Sequence, residues 1–189
     1  MSKKKTIAIT LFTIAIVSRL IPHAHNFTPI EAIALFGGAY LGSKYLPFFL
    51  TIGALFFTDL LLNNTFLRSF FPGEEGMIWF SPYMIWNYLS LFLIVGIGSY
   101  LMKKKKRKNA AYVFGGAVTS SIVFFLITNF GSWIAAPAMY SRDLSGLMTC
   151  FIAGIPFYKM TFLSNLLFSG VFFGSMYLVD RRDSVEAIA

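Results

Sequence analysis

Eight side chains able to bind or ionise interrupt stretches that otherwise carry almost no charge: Arg19, Glu31, Asp59, Asn63, Asn87, Asn129, Lys159 and Asn165. Guanidinium, carboxylate and carboxamide groups suit the capture of a polar solute, since each offers hydrogen bonds of fixed direction. None has the spacing of a catalytic centre. The chain holds no H-E-x-x-H, no G-x-S-x-G and no G-x-x-x-x-G-K-[ST], so neither zinc peptidase, hydrolase nor P-loop chemistry is indicated. We expect a protein that is not an enzyme and has no cofactor. His23 and His25 form an H-x-H pair and Cys150 is the single cysteine. The His pair lacks carboxylate or thiol support, and a lone Cys among apolar residues packs as a small hydrophobe, so no metal is expected. One cysteine also permits no intrachain disulfide.

The approach to Glu31 has its own signature. In Asn26-Phe27-Thr28-Pro29-Ile30-Glu31, Thr28 suits an N-cap, Pro29 the first helical position and Glu31 the third. That is a capping box with an N1 proline. The helix start would offer free amides and a positive dipole end to an anionic or carbonyl-bearing ligand, or it is simply a well-formed start. Trp79, Trp86 and Trp133 could stack on a flat ring.

These residues must be positioned by helices in lipid. Of 189 residues, 57% are hydrophobic and only 13% charged, about half the charge of an average soluble domain. Six apolar segments follow, at about 6–21, 29–43, 45–63, 83–102, 110–136 and 158–179, forming one transmembrane domain. With the N-terminus inside, Lys3 to Lys5, Lys44, Lys103 to Lys108, Arg181 and Arg182 share one side, 12 of the 16 basic residues. The expectation is an all-α polytopic membrane protein of six transmembrane helices, N-in and C-in. The same asymmetry accounts for the formal charge of +8 without nucleic acid. Lys3 to Lys5 before an apolar run resemble a signal peptide, yet no small-residue cleavage site follows, so a retained first helix is expected.

Residues 64–82 mix aromatics with turn formers and predict a loop in the headgroup zone. Residues 144–155 are apolar, too short to span and followed by Pro156, which predicts a short re-entrant or interfacial helix before the last span. In the inner halves, Gly38/Gly42 and Gly170/Gly174 have small-xxx-small spacing, and Gly96, Gly98, Gly115 and Gly116 add to them. Close helix contact there would shut the base of a cup. On this topology all eight polar residues fall near the outer ends of the spans. Buried charge is costly unless it faces a partner or water. Two readings stay open: Arg19, Glu31 and Asp59 pair to lock helices together, or they line a polar cavity open to the outside.

The runs Asn26-Phe27-Thr28-Pro29, Leu35-Phe36-Gly37-Gly38-Ala39, Asp59-Leu60-Leu61, Phe125-Leu126-Ile127-Thr128-Asn129-Phe130-Gly131 and Ala153-Gly154-Ile155-Pro156-Phe157 resemble an uncharacterised family of bacterial six-helix membrane proteins. The layout also resembles the S components of energy-coupling factor vitamin transporters, in size, helix number and inside termini. That resemblance implies a multi-pass protein of the bacterial cytoplasmic membrane, binding a vitamin or related micronutrient near its outer face. It also implies an energy-coupling module as partner. The Ala-x-x-x-Ala docking surface of S components is not matched, because Phe12 follows Ala8 and Arg19 follows Ala15. Some similar proteins work alone, among them a cobalamin transporter with a cysteine on cobalt, and that likeness would give Cys150 such a part. The expectation is solute uptake, with Arg19, Thr28, Glu31, Asp59, Asn87, Asn129, Asn165, Trp79 and Trp133 around the solute. The alternative is a non-catalytic structural or assembly subunit of a larger membrane complex.

Overall fold

A computed structural model describes residues 3–21, 26–41, 45–103 and 109–186. It is all-α: α1 (Lys3–Ser18), α2 (Ile30–Tyr40), α3 (Leu46–Asn64), α4 (Pro82–Lys103), α5 (Ala110–Ala135) and α6 (Leu144–Glu186), with one 3-10 turn at Arg68–Phe70. No strand occurs among the described residues. Four helices, α3 to α6, are long and apolar enough to cross a membrane. The distribution of side chains fits lipid rather than water outside. Phe49, Phe57 and Leu163 point outward, while Ser90, Ser120, Ser164 and Asn165 are buried.

Helix α2 is only 11 residues long, roughly 16 Å, about half of the hydrocarbon core. It needs no greater length because it does not meet lipid. Residues Glu31 to Ala39 are all buried, and α2 touches each of the other five helices. Its closest neighbour is α4. A Cβ on Gly38 would stand 2.2 Å from the Val95 carbonyl oxygen, and one on Gly98 would stand 2.1 Å from that of Leu35. Backbone therefore lies on backbone, as in small-residue crossings of membrane helices. The Ser99 hydroxyl bridges the two, donating to Val95 O at 3.0 Å and to Gly38 O at 3.4 Å. On the opposite side Phe36 packs against Tyr40, Phe172 and Phe173. Helix α1 turns Ala8, Phe12 and Ala15 into this core.

The glycine expectation holds for Gly38, Gly98 and Gly116 and fails at four other described positions. Gly96, Gly115, Gly170 and Gly174 have nothing within 4 Å of a built Cβ; Gly42 lies outside the described residues, as do Lys44 and 104–108. Gly170 and Gly174 instead border an apolar groove of about 670 Å³ between α5 and α6. Spacing creates a smooth stripe, but the partner that fills it must come from tertiary structure.

Two further expectations are corrected. Residues 144–155 are not a separate re-entrant or interfacial helix, and the last helix does not begin near 158. Helix α6 runs unbroken from Leu144 to Glu186 with Pro156 inside. Proline deprives the Ile152 carbonyl of a donor, but the first part of α6 is held against α5. Phe151 packs on Phe125, and the Cys150 thiol donates to Asn129 O at 3.3 Å. At 43 residues α6 is roughly 65 Å long and exceeds the bilayer thickness. The capping box is also absent. Helix α2 starts at Ile30 with Pro29 as its cap, without a side-chain cap bond. The Thr28 carbonyl instead accepts a hydrogen bond from Ser164 of α6 at 3.0 Å.

Candidate functional site

A cavity of about 580 Å³ opens where α1, α3 and α5 end and α2 and α4 begin. It contains Arg19, Thr28, Glu31, Asn87 and Asn129, five of the nine residues expected around a solute. Four separate segments bring them there. Arg19 follows the last turn of α1, Thr28 and Glu31 flank the start of α2, Asn87 lies on α4 and Asn129 on α5. Helix α6 supplies Gly154, Phe157 and Tyr158.

Arg19 is held from behind. Its guanidinium donates to Asp59 Oδ1 and Thr58 Oγ1 on α3, and at 3.5 Å to the Leu55 carbonyl. The Tyr88 hydroxyl of α4 donates to Asp59 Oδ2 at 3.0 Å. Arg19 thus pairs with Asp59, so that α1, α3 and α4 are tied by one charge-assisted network. Asp59 does not line the cavity. Glu31 has no such support. It is 2% exposed, and neither carboxyl oxygen has a hydrogen-bond partner among the described residues.

The two amides differ. Asn129 Nδ2 donates to its own helix at Phe125 O, at 2.8 Å, which turns Oδ1 toward α6. Glycine at 154 makes room for it, since a Cβ there would lie 2.2 Å from Oδ1. The Asn87 side chain lines the cavity with no hydrogen bond to a described residue. The walls are rings: Phe124, Phe125, Phe157 and Tyr158. Directional polar groups around an apolar volume of this size are the makings of a ligand site.

Other expected residues are placed elsewhere. Asn165 is fully buried between α5 and α6, donating to Ala117 O at 2.8 Å and Ser121 Oγ at 2.9 Å and accepting from Ser169 at 3.2 Å. Trp79 is 60% exposed in the loop before α4. Trp133 braces the α5–α6 turn: its indole donates to Ser141 O at 2.8 Å, and Arg142 stacks 5.5 Å from its ring centre. Arg142 also donates to the Trp133 and Ile134 carbonyls at the end of α5. Asp143 caps α6; the Gly146 amide, then the Ser141 hydroxyl, hold its carboxyl below the usual carboxylate range. Trp86 packs across Phe130 and the bare face of Gly131. Lys159 is exposed, and His23 and His25 lie outside the described residues. Cys150 is buried on the Asn129 carbonyl. Among the described residues no three His, Cys, Asp or Glu side chains come together.

Several contributors escape a reading of the sequence. Thr58, Tyr88 and Ser164 carry no charge, so nothing in their type separates them from hydroxyls that merely bond their own helix. Asn64 is another. Its amide donates to Ile78 O at 2.9 Å and accepts from Ile78 N at 2.8 Å, tying the 64–82 loop across its base. Arg68 ties the same loop through Gly76 O, at 2.8 Å. The one signal in the sequence is the doubled amide at 63 and 64. Of the two, Asn63 stands nearer Asp59 along the chain, yet among the described residues its amide donates to Met84 Sδ alone, at 3.8 Å.

A model described as a family of unknown function, DUF6580, matches residues 1–187, and the chain belongs to that family. No curated protein and no solved structure matches it.

Proposed function

We propose that this family member is a small-molecule uptake protein of the bacterial cytoplasmic membrane, capturing a micronutrient-sized solute in the cavity beside Glu31. In this reading the bundle crosses the membrane six times with both termini inside, as the basic clusters imply, and the cavity opens outward. The observation that carries it is a volume of about 580 Å³ lined by the Asn87 amide and by a buried carboxyl, Glu31, that has no hydrogen-bond partner among the described residues. Polar groups left unpaired inside a bundle are costly, and a bound solute would offset that cost. The likeness to vitamin-binding S components agrees in layout. A shared coupling module is not favoured, because Ala8, Phe12 and Ala15 of α1 face inward.

A structural or assembly subunit is the second reading, favoured by one observation: the Arg19–Asp59–Tyr88 network and the Asn165 cluster are complete helix ties without a ligand. Mass spectrometry of the protein released from its own membranes separates the two. A small molecule carried through purification is expected, and a chain that carries none but retains defined partner proteins would refute capture. Orientation is checked by an impermeant thiol reagent on intact cells. Cysteine at Glu75 should react and cysteine at Lys105 should not, whereas labelling at Lys105 would place the cavity on the inner side.

A further inference from the structure

We infer that the solute held in this cavity is an organic cation, a protonated nitrogen that pairs with Glu31. The inference rests on the capture reading and adds the chemical class of the ligand. Among the described residues two charged side chains line the cavity, Arg19 and Glu31. Arg19 is already neutralised by Asp59 and bonded to Thr58 and Leu55. Glu31, 2% exposed, has neither oxygen bonded among the described residues. The described lining therefore presents one uncompensated carboxyl. An anionic solute would meet that carboxyl directly. An uncharged one could hydrogen-bond the carboxyl but would leave it, when ionised, without a counter-charge.

A cation resolves both difficulties, and the rest of the lining suits it. Asn129 Oδ1 is an acceptor, since its Nδ2 is turned back to Phe125 O. The rings of Phe125, Phe157 and Tyr158 line the cavity, and aromatic side chains suit a desolvated cation. The chamber, about 580 Å³, is of drug-like size, larger than a metal ion needs.

Three probes of one shape and three charges test this on the full chain in detergent at pH 7: phenethylammonium, 2-phenylethanol and 3-phenylpropionate. Phenethylammonium should bind about tenfold tighter than either of the others, the usual worth of one charge-assisted hydrogen bond. Glu31→Gln should erase that preference while melting no earlier than the wild type. Equal or reversed preference, or a cation preference that survives in a folded Glu31→Gln protein, overturns the inference. If Glu31→Gln does not fold, the wild-type ranking alone decides. If no probe binds, the charge of any molecule carried through purification decides instead: a cation upholds the inference, and an anion or neutral molecule overturns it while leaving capture intact. No probe bound and no molecule carried would refute capture itself, and the cation with it.

Discussion

Replacing Gly98 by alanine adds one methyl group at the crossing of α2 and α4. That carbon would lie 2.1 Å from Leu35 O, 2.9 Å from Leu35 C and 3.2 Å from Ala39 N. All three are backbone atoms, so no side chain can swing aside. Restoring an ordinary contact near 3.4 Å requires the helices to part by about 1.3 Å, and a radial gap of about 1 Å already forfeits up to half of each dispersion contact. The contacts at stake include Leu35, Leu91, Ile94 and Val95, each at most 1% exposed. Over-packing typically costs about 1–3 kcal/mol, and the rigid obstacle puts this case at the upper end. For a chain of this length that is a fall in melting temperature of about 6–12 °C. Gly170→Ala is the control: its Cβ meets nothing within 4 Å, and the change should be neutral or slightly stabilising through helix propensity. Differential scanning fluorimetry in one detergent reads both. Equal melting of the two variants would refute the backbone crossing and, with it, the central place of α2.

Asp59→Asn should cost about 3 kcal/mol by leaving Arg19 without its counter-charge, whereas Arg19→Gln combined with Asp59→Asn should cost less than the two singles together; additive urea midpoints would show that the pair is not coupled. Asn165→Leu should cost about 1–3 kcal/mol, because Ala117 O and Ser121 lose their donor inside the bundle, while Asn129→Leu should melt near wild type yet lose solute binding. The opposite pattern in paired melting and binding measurements would move the site to Asn165. Gly154→Ala should displace the Asn129 amide, since the new carbon falls 2.2 Å from Oδ1; because that amide can move, binding should weaken with a stability change under about 1 kcal/mol, and unaltered binding would remove Asn129 from the site.

Membrane character and the arrangement of polar residues were legible in the sequence because each follows from composition along the chain. Apolar segments of 15 to 27 residues have few alternatives to helices in lipid. An Arg19 placed within the span requires a carboxylate at its depth, and Asp59 and Glu31 were the available choices. Which of them pairs with it was not legible. Tyr88 and Thr58 complete the site around Asp59, and that closure depends on how α1, α3 and α4 meet in space. Tertiary contact likewise separated Gly98 from Gly170, Asn129 from Asn165 and Trp133 from the cavity wall, although each pair or residue has a similar setting in sequence. It also carried α6 through Pro156, where a local rule ends a helix, because packing along Phe151, Cys150 and Gly154 outweighs one missing backbone hydrogen bond. Residue type and spacing determine which groups lie at one depth; only the rotation and contact of neighbouring helices determine which of them are satisfied by protein and which are left facing an open cavity.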